Sequence, residues 1–330
     1  MRNKFTVIAA LLLLGAIGAA GAKDAACDGK DYTLRFAYTD PAVPGDPVFV
    51  RMTLTGTGGL GNQKAGDTTA RLVFTENNAA DFYPVPALPS QDGGPARSAN
   101  TAEFLAAIPL STWQKTGNFS LAIQYAPFGS GDMQFTLPLT VEAKEFDSET
   151  LKMGESNTAI MHDESPERKA QSDKLNKIVL TWNKAGVYQQ TPFGKPVASA
   201  RMTSLFGDRR VYVYTNGKSS ASEHYGNDFG VPTGTRVGAC ADGKVVLAEL
   251  RVLTGWSVII EHLPGLYSLY YHMDSITVKE GGRVKQGDKI GASGSTGFAT
   301  GPHLHWEMRL NAVAVNPDFF TKDFAFCGNP

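Results

Sequence analysis

Apolar and polar residues alternate through much of the segment 32–146, and this period of two constrains the fold more than any other feature of the chain. Successive side chains of a β-strand point to opposite faces, so the alternation predicts strands with one buried face. Glycine-containing turns such as residues 44–46 separate these runs. The pattern predicts a β-sandwich of immunoglobulin-like type. The clearest runs cover residues 32–38, 48–54, 119–125 and 133–141.

The same segment carries neither histidine nor cysteine, so we assign residues 23–146 to an accessory domain without chemistry of its own. From residue 147 to residue 193 the alternation stops. Pro166 precedes a charged run, and apolar residues then recur at helical spacing, which predicts an amphipathic helix within a linker. From residue 194 to residue 330, β-type segments return between glycines. The apolar positions of the helix are Leu175, Ile178, Val179 and Trp182.

The first 22 residues follow the plan of a secretory signal peptide. Arg2 and Lys4 precede an apolar run over residues 7–17, and small residues end the segment at Ala22, where we expect cleavage. The mature chain would keep 29 basic and 32 acidic residues, a formal charge of −3, which argues against a nucleic-acid partner. We therefore expect an exported protein, periplasmic or secreted, with no membrane span in its mature chain.

Three cysteines, Cys27, Cys240 and Cys327, allow three alternative disulfides with one thiol left over. In an exported protein one disulfide is plausible, and the sequence does not choose among the pairings. No Cys-x-x-Cys pair is present, so a zinc site built from thiolates is not expected.

Histidine is rare in this chain and concentrated in its last third. His303 and His305 are two residues apart, so on a strand both would face one site. Imidazole is a common metal ligand and a good proton acceptor near pH 7. His224 and Asp228 lie in a glycine-rich stretch that suits a turn leading into a strand. Together with one of the pair His303 and His305, they would give zinc three ligands and leave a fourth position open, as catalysis requires.

Several separated motifs agree in order and spacing with one known family. Over residues 201–318 the chain resembles the lysostaphin-type, LytM-like zinc endopeptidases of peptidase family M23. The resemblance implies an antiparallel β-sheet catalytic domain within residues 194–330. It also implies one Zn²⁺ ion and bacterial peptidoglycan as the substrate. The motifs are residues 204–210, His224-x-x-x-Asp228, residues 270–273, 284–291 and 294–297, and Gly-Pro-His-Leu-His at 301–305.

The resemblance further implies His224, Asp228 and His305 as zinc ligands, with His272 and His303 as catalytic histidines. His303 would act as general base, and His272 would activate the water or stabilise the oxyanion. The expected function is hydrolysis of peptide cross-links or stem peptides. The alternative is a non-hydrolytic module that binds peptidoglycan and activates an amidase. Since this chain keeps every ligand and both catalytic histidines, the enzyme is the favoured interpretation.

Three further expectations concern the surroundings of the site. His262 corresponds to a family histidine outside the zinc set and is expected to be structural, and His162 lies outside the resemblance. The substrate is expected to bind in a groove at the zinc site. The N-terminal domain, or the linker 147–193, is expected to cover this groove and so to control hydrolysis. Aromatic side chains are expected along the groove, namely Tyr212, Tyr214 and Tyr225.

Overall fold

A computed structural model describes residues 6–7, 12–14, 22–57, 64–86, 100–129, 131–322 and 324. Most of the expected leader, residues 1–22, and Cys327 lie outside these residues. The chain divides into two compact units, which are Met1–Ala143 with Ala325–Pro330, and Lys144–Phe324. None of the described helices is both long and apolar enough to cross a membrane.

The first unit consists of two sheets. One has the strand order β1-β11-β10-β6-β7, and the other has the order β2-β3-β4-β5-β9-β8. Neighbouring strands are antiparallel, except for the parallel pair β1 and β11. The strands are β1 (Thr6–Val7), β2 (Leu12–Leu14), β3 (Ala22–Asp28), β4 (Tyr32–Thr39), β5 (Pro47–Gly56), β6 (Thr69–Thr75), β7 (Asn78–Asp81), β8 (Tyr83–Pro84), β9 (Thr101–Pro109), β10 (Gly117–Ala126) and β11 (Met133–Val141).

One apolar core lies between these two sheets. Phe36 from β4 stacks on Phe135 from β11, with ring centroids 5.1 Å apart and planes inclined by 7°. Burying a side chain of this size stabilises the fold by about 1.5–3 kcal/mol. The alternation over β4 thus supplies one face of the core, as the period of two predicts. The mainly β character of the chain is confirmed, and the immunoglobulin-like type stays a prediction.

The second unit is built on an antiparallel sheet with the strand order β13-β16-β23-β20-β19-β18-β21, to which β17, β22 and β24 add. The elements are β12 (Ser148–Lys152), α1 (Glu155–Met161), α2 (Pro166–Val179), β13 (Met202–Ser204), β14 (Arg209–Val213), β15 (Ser219–Glu223), β16 (Gly226–Phe229), β17 (Arg236–Gly238), β18 (Gly243–Arg251), β19 (Gly255–Leu263), β20 (Leu266–Ile276), β21 (Arg283–Val284), β22 (Lys289–Ser293), β23 (Leu304–Leu310), β24 (Val313–Val315) and α3 (Pro317–Lys322).

The predicted linker, residues 147–193, contains a strand and two helices, where only one helix was predicted. The predicted helix is present as α2, where Pro166 occupies the first turn and the Ser165 hydroxyl accepts a hydrogen bond from the Arg168 amide. It ends at Val179, so Trp182 lies beyond the helix to which it was assigned. Leu175 and Ile178 pack against a buried apolar cluster of the sheet. The sequence did not predict α1, nor β12, which pairs in parallel with β14. The residues of β12 are exposed or half-buried, so they carry no apolar alternation to signal a strand.

His262 joins three parts of the second unit. Its Nδ1 donates a hydrogen bond to the carbonyl of Asp242 at 2.8 Å, and its Nε2 lies 2.6 Å from the hydroxyl of Ser268. A neutral ring satisfies both contacts. Burial lowers the pKa of His262 to about 4, so the ring stays neutral in the folded chain at pH 7.

We expect acid to destabilise the second unit partly through His262. The pKa of an unfolded histidine is near 6.5, so between that pH and about pH 4 the unfolded state binds one more proton at this position. The free energy of unfolding therefore falls as the pH is lowered through this range, by up to about 3 kcal/mol from this group. Urea unfolding at pH 7 and pH 5 should show a smaller loss for His262→Asn than for the wild type, and equal losses would contradict the assignment.

Candidate metal centre and its groove

Two neighbouring strands bring three ligand-type side chains together. In the antiparallel pair β16 and β23, Asp228 lies directly opposite His305, and His224 comes two residues before β16. The Nε2 atom of His224 lies 3.0 Å from Nδ1 of His305. The Asp228 Oδ1 atom lies 2.9 Å from that same Nδ1 and 3.1 Å from His224 Nε2. All three residues are buried, and together they form a candidate metal site.

Hydrogen bonds outside this triangle determine which atoms carry lone pairs inside it. His224 donates from Nδ1 to the carbonyl of Leu205 at 2.9 Å, which leaves a lone pair on Nε2. His305 directs Nε2 towards Glu307 Oε2 at 3.5 Å, which leaves Nδ1 as the lone-pair atom of the neutral ring. When the His305 ring is neutral, two imidazole nitrogens and a carboxylate oxygen converge as possible ligand atoms. Such an arrangement suits a cation bound at about 2.0–2.2 Å from each atom.

The electrostatics of the triangle agree with this interpretation. Burial disfavours charge on His305, yet Asp228 and Glu307 raise the pKa of its ring to about 9. The pKa of Asp228 is held well below its usual value despite burial, because His224 and His305 lie beside it. Without a metal, the His305 ring is therefore protonated on both nitrogens at pH 7 and carries a positive charge. A metal ion would supply the same positive charge and displace one of these protons.

His272 and His303 lie beside the triangle, with their ring centroids 4.8 Å apart. His303 donates from Nδ1 to the Gly301 carbonyl at 2.8 Å, and its Nε2 lies 3.8 Å from Asp228 Oδ1. His272 donates from Nδ1 to the Thr296 carbonyl at 2.8 Å. In each ring the tautomer that donates from Nδ1 leaves a lone pair on Nε2. Burial, with His303 and His305 nearby, lowers the pKa of His272 to about 3.

The backbone of His272 is unusual for a residue other than glycine. Its φ is 59°, in the left-handed region, and its amide donates a hydrogen bond to the Thr254 carbonyl. A residue in this region carries strain of about 1–3 kcal/mol, which folded proteins tend to retain at functional positions. The sequence gives no signal for this conformation, which lies where the pairing of β20 with β19 and β22 shifts in register.

A cleft of about 510 Å³ runs past the triangle and the two further histidines. Tyr212 and Tyr225 line it, as predicted, whereas Tyr214 is buried, with its hydroxyl 2.7 Å from that of Ser220. His162 packs edge-on against Tyr214. Residues from the segment before the sheet also line the cleft: Glu149, Leu151, Met161, Ser172 and Leu175.

Several residues that were not predicted from the sequence contact this site. Glu307 follows His305 by two positions on β23, so the period of two could have placed it on the same face. It also pairs with Arg309, and Tyr271 stacks on the His305 ring with centroids 5.5 Å apart. The Nη2 atom of Arg210 lies 3.2 Å from Asp228 Oδ2. These two residues are 18 positions apart, so no local spacing predicts their contact.

Comparisons with a family model and with individual relatives point to the same kind of protein. Residues 222–317 match the model of peptidase family M23. Peptidoglycan DD-endopeptidase ShyA of Vibrio cholerae is 38% identical over 137 residues, which is 41% of this chain and 31% of the relative. DD-carboxypeptidase/endopeptidase Mpg of Neisseria meningitidis is 38% identical over 123 residues, 37% of this chain and 27% of the relative. The matched region thus spans about a third of the length of these relatives.

A solved structure shares the fold over most of the chain. The crystal structure of a candidate peptidase M23 from Pseudomonas aeruginosa superimposes with a TM-score of 0.55, covering 86% of this chain and 95% of that one. At 22% identity, this likeness shows the fold alone.

A divalent transition metal such as Zn²⁺ or Co²⁺ should stabilise the folded chain. A ligand that binds only the native state adds about 2.7 kcal/mol at a free concentration 100 times its dissociation constant. Differential scanning fluorimetry should therefore show a higher unfolding midpoint with metal for the wild type and for His162→Ala, but not for His305→Ala. The shift should shrink from pH 7 to pH 5, because protons compete for the two imidazoles. The same metal-induced shift in His305→Ala would contradict the site.

Proposed function

Because residues 222–317 of this chain form a peptidase family M23 domain, we propose that the protein is an exported zinc endopeptidase of bacterial peptidoglycan. It would hydrolyse peptide cross-links or stem peptides in the periplasm or outside the cell. The observation that carries this proposal is the triangle of His224, Asp228 and His305 beside two histidines that keep a free nitrogen. The substrate class is supported by the names of the relatives, which include peptidoglycan DD-endopeptidases.

His224, Asp228 and His305 would hold the zinc ion, one per catalytic domain. Their donor set fits zinc, which accepts imidazole nitrogen and carboxylate oxygen in sites with three protein ligands. When bound, zinc supplies positive charge that polarises the scissile carbonyl and lowers the pKa of a nearby water. The outer hydrogen bonds to Leu205 and Glu307 keep the two imidazoles in the tautomers that binding requires.

His303 would act as the general base. Its Nδ1 is engaged with the Gly301 carbonyl, so Nε2 can accept a proton from the attacking water. The same Nε2 lies 3.8 Å from Asp228 Oδ1, so the base is held beside the ligand triangle. His303 can later return this proton to the leaving amine. No covalent intermediate with the protein is needed.

His272 would orient the water rather than stabilise an oxyanion. In the tautomer that donates to the Thr296 carbonyl, its Nε2 carries no hydrogen and can only accept a hydrogen bond. Its pKa of about 3 keeps the ring neutral, so it accepts a hydrogen bond from water without retaining the proton. Of the two roles left open for this residue, activation of the water is the one that its hydrogen bonding supports.

The alternative, a non-hydrolytic module that activates an amidase, receives no support from the site. A binding module needs neither a complete ligand triangle nor two further histidines whose Nε2 atoms are free. We therefore retain hydrolysis as the proposed function of residues 194–330. Residues 1–22 would serve as signal peptide, residues 23–146 as accessory domain and residues 147–193 as linker.

Substitutions of individual histidines should separate metal binding from proton transfer. His303→Ala should keep the metal but lose about 10²–10⁴-fold in rate, since it removes only the base. His224→Ala should lose both metal and activity. The assay is release of soluble fragments from purified peptidoglycan, with and without a chelator, and it scores new amino termini and new reducing sugar ends. His162→Ala serves as control, and full hydrolysis by His303→Ala would reject the assigned base.

Control of the groove by residues 23–146, or by the linker 147–193, is a further proposal of ours. It is motivated by the danger that an exported wall hydrolase poses to its producer. We expect a chain that starts at Lys144, where the second unit begins, to digest peptidoglycan faster than the mature chain. Both proteins should bind zinc equally, which controls for folding. Equal rates of digestion would contradict control by residues 23–143.

A further inference from the structure

The two oxygens of Asp228 have different partners. Oδ1 belongs to the ligand triangle, and Oδ2 accepts a hydrogen bond from Nη2 of Arg210 at 3.2 Å. The same Nη2 donates to the Ser204 hydroxyl at 2.5 Å. The side chains of Arg210 and Asp228 are only 12% and 10% exposed, so water competes little for this contact.

Arg210 is held in turn by the segment that precedes the catalytic sheet. Its Nε donates to Glu149 Oε1 at 2.8 Å. Glu149 lies on β12 and is directly opposite Arg210 in the parallel pair of β12 and β14. Side chains and backbone therefore both connect β12 to this arginine. The helix α1 adds a contact to the same part of the unit, because the Thr215 amide donates a hydrogen bond to the Thr158 hydroxyl at 3.2 Å.

We infer that Arg210 is a positioning residue for the metal-binding carboxylate of Asp228, and that Glu149 couples the docking of β12 to metal binding. This inference rests on the proposed function and deepens it. A carboxylate can turn about its last torsion and exchange its two oxygens. The arginine fixes Oδ2 and so keeps Oδ1 directed at the two imidazoles.

Two effects of Arg210 on metal affinity oppose each other. Its hydrogen bond orients the ligand, whereas its positive charge repels a cation. Glu149 reduces the repulsion, because its carboxylate lies 2.8 Å from Nε of Arg210 and offsets part of the charge, with its own side chain 39% exposed. We therefore expect the orienting effect to exceed the repulsion. Loss of the Glu149 charge would both release Arg210 and leave its positive charge uncompensated, so both consequences weaken metal binding.

Coupling between two equilibria is reciprocal. If docked β12 strengthens metal binding by some factor, then bound metal must strengthen the docking of β12 by the same factor. The amides of residues 148–152 should therefore exchange with solvent more slowly when zinc is present. A purely structural ion pair between Glu149 and Arg210 would hold β12 equally well with and without metal.

The experiment compares two variants with two matched controls in the full mature chain. Arg210→Lys keeps the charge but loses the planar fork, and Glu149→Gln removes the charge on β12. Arg236→Lys is the arginine control, because Arg236 is exposed on β17 and donates to the Gly287 carbonyl, away from β12. Glu145→Gln is the control for a carboxylate of the same segment, exposed and four residues before Glu149. Zinc affinity is measured by competition with a chromogenic chelator.

Arg210→Lys should weaken zinc binding about 10–100-fold, the usual effect of losing a partner of a metal ligand, and Glu149→Gln by a smaller factor of about 3–10. Both controls should stay within about twofold of the wild type. Hydrogen exchange should show slower exchange of residues 148–152 on zinc addition in the wild type, and little such change in Glu149→Gln.

Three results would overturn the inference. The first is that Arg210→Lys and Glu149→Gln bind zinc with the same affinity as their control variants. The second is a wild-type exchange rate at residues 148–152 that zinc leaves unchanged. The third, absence of zinc binding by the wild type, would remove the proposed function as well. A wild type that binds zinc with this pattern but cleaves no peptidoglycan would reject only the proposed hydrolysis.

Discussion

The pairing register of β16 with β23 is the constraint on which the second unit and its candidate metal site depend. It sets Asp228 directly opposite His305 and brings their ligand atoms to within 2.9 Å of each other. Since side chains alternate between the two faces of a sheet, a shift by one residue would turn either side chain to the other face. The buried apolar residues on both strands resist such a shift, because Phe229 and Trp306 would then leave the core. The packing of the sheet thus fixes the geometry of the site.

Charge balance is the second requirement that this site meets. Asp228 is buried, and a buried carboxylate is costly unless cations or donors surround it. His224, His305 and Arg210 supply these partners. Glu307 and Arg309 form a similar pair behind His305. The polar groups around the ligand triangle therefore hold it in one arrangement and make it receptive to a positive ion.

Local patterns in the sequence predicted much of this structure. The period of two located β4, β5, β10 and β11, and helical spacing located α2 from Pro166 onward. Spacing also predicted that His303 and His305 would face one site, and that His224 and Asp228 would converge through a turn and a strand. These predictions succeeded because each depends on neighbours within a few residues. Resemblance to a family, rather than spacing, separated the role of His303 from that of His305.

What the sequence alone determined is therefore the mainly β fold, the strands and the set of candidate ligands, since side-chain periodicity and residue chemistry are local properties. The tertiary structure decided which atoms of those residues meet. It supplied the hydrogen-bond partners of each imidazole, the left-handed backbone of His272 and the contacts of Glu149 with Arg210 and of Arg210 with Asp228. These contacts join residues 61 and 18 positions apart. No local pattern encodes them, because they exist only once separate strands have paired and the space between them has been filled.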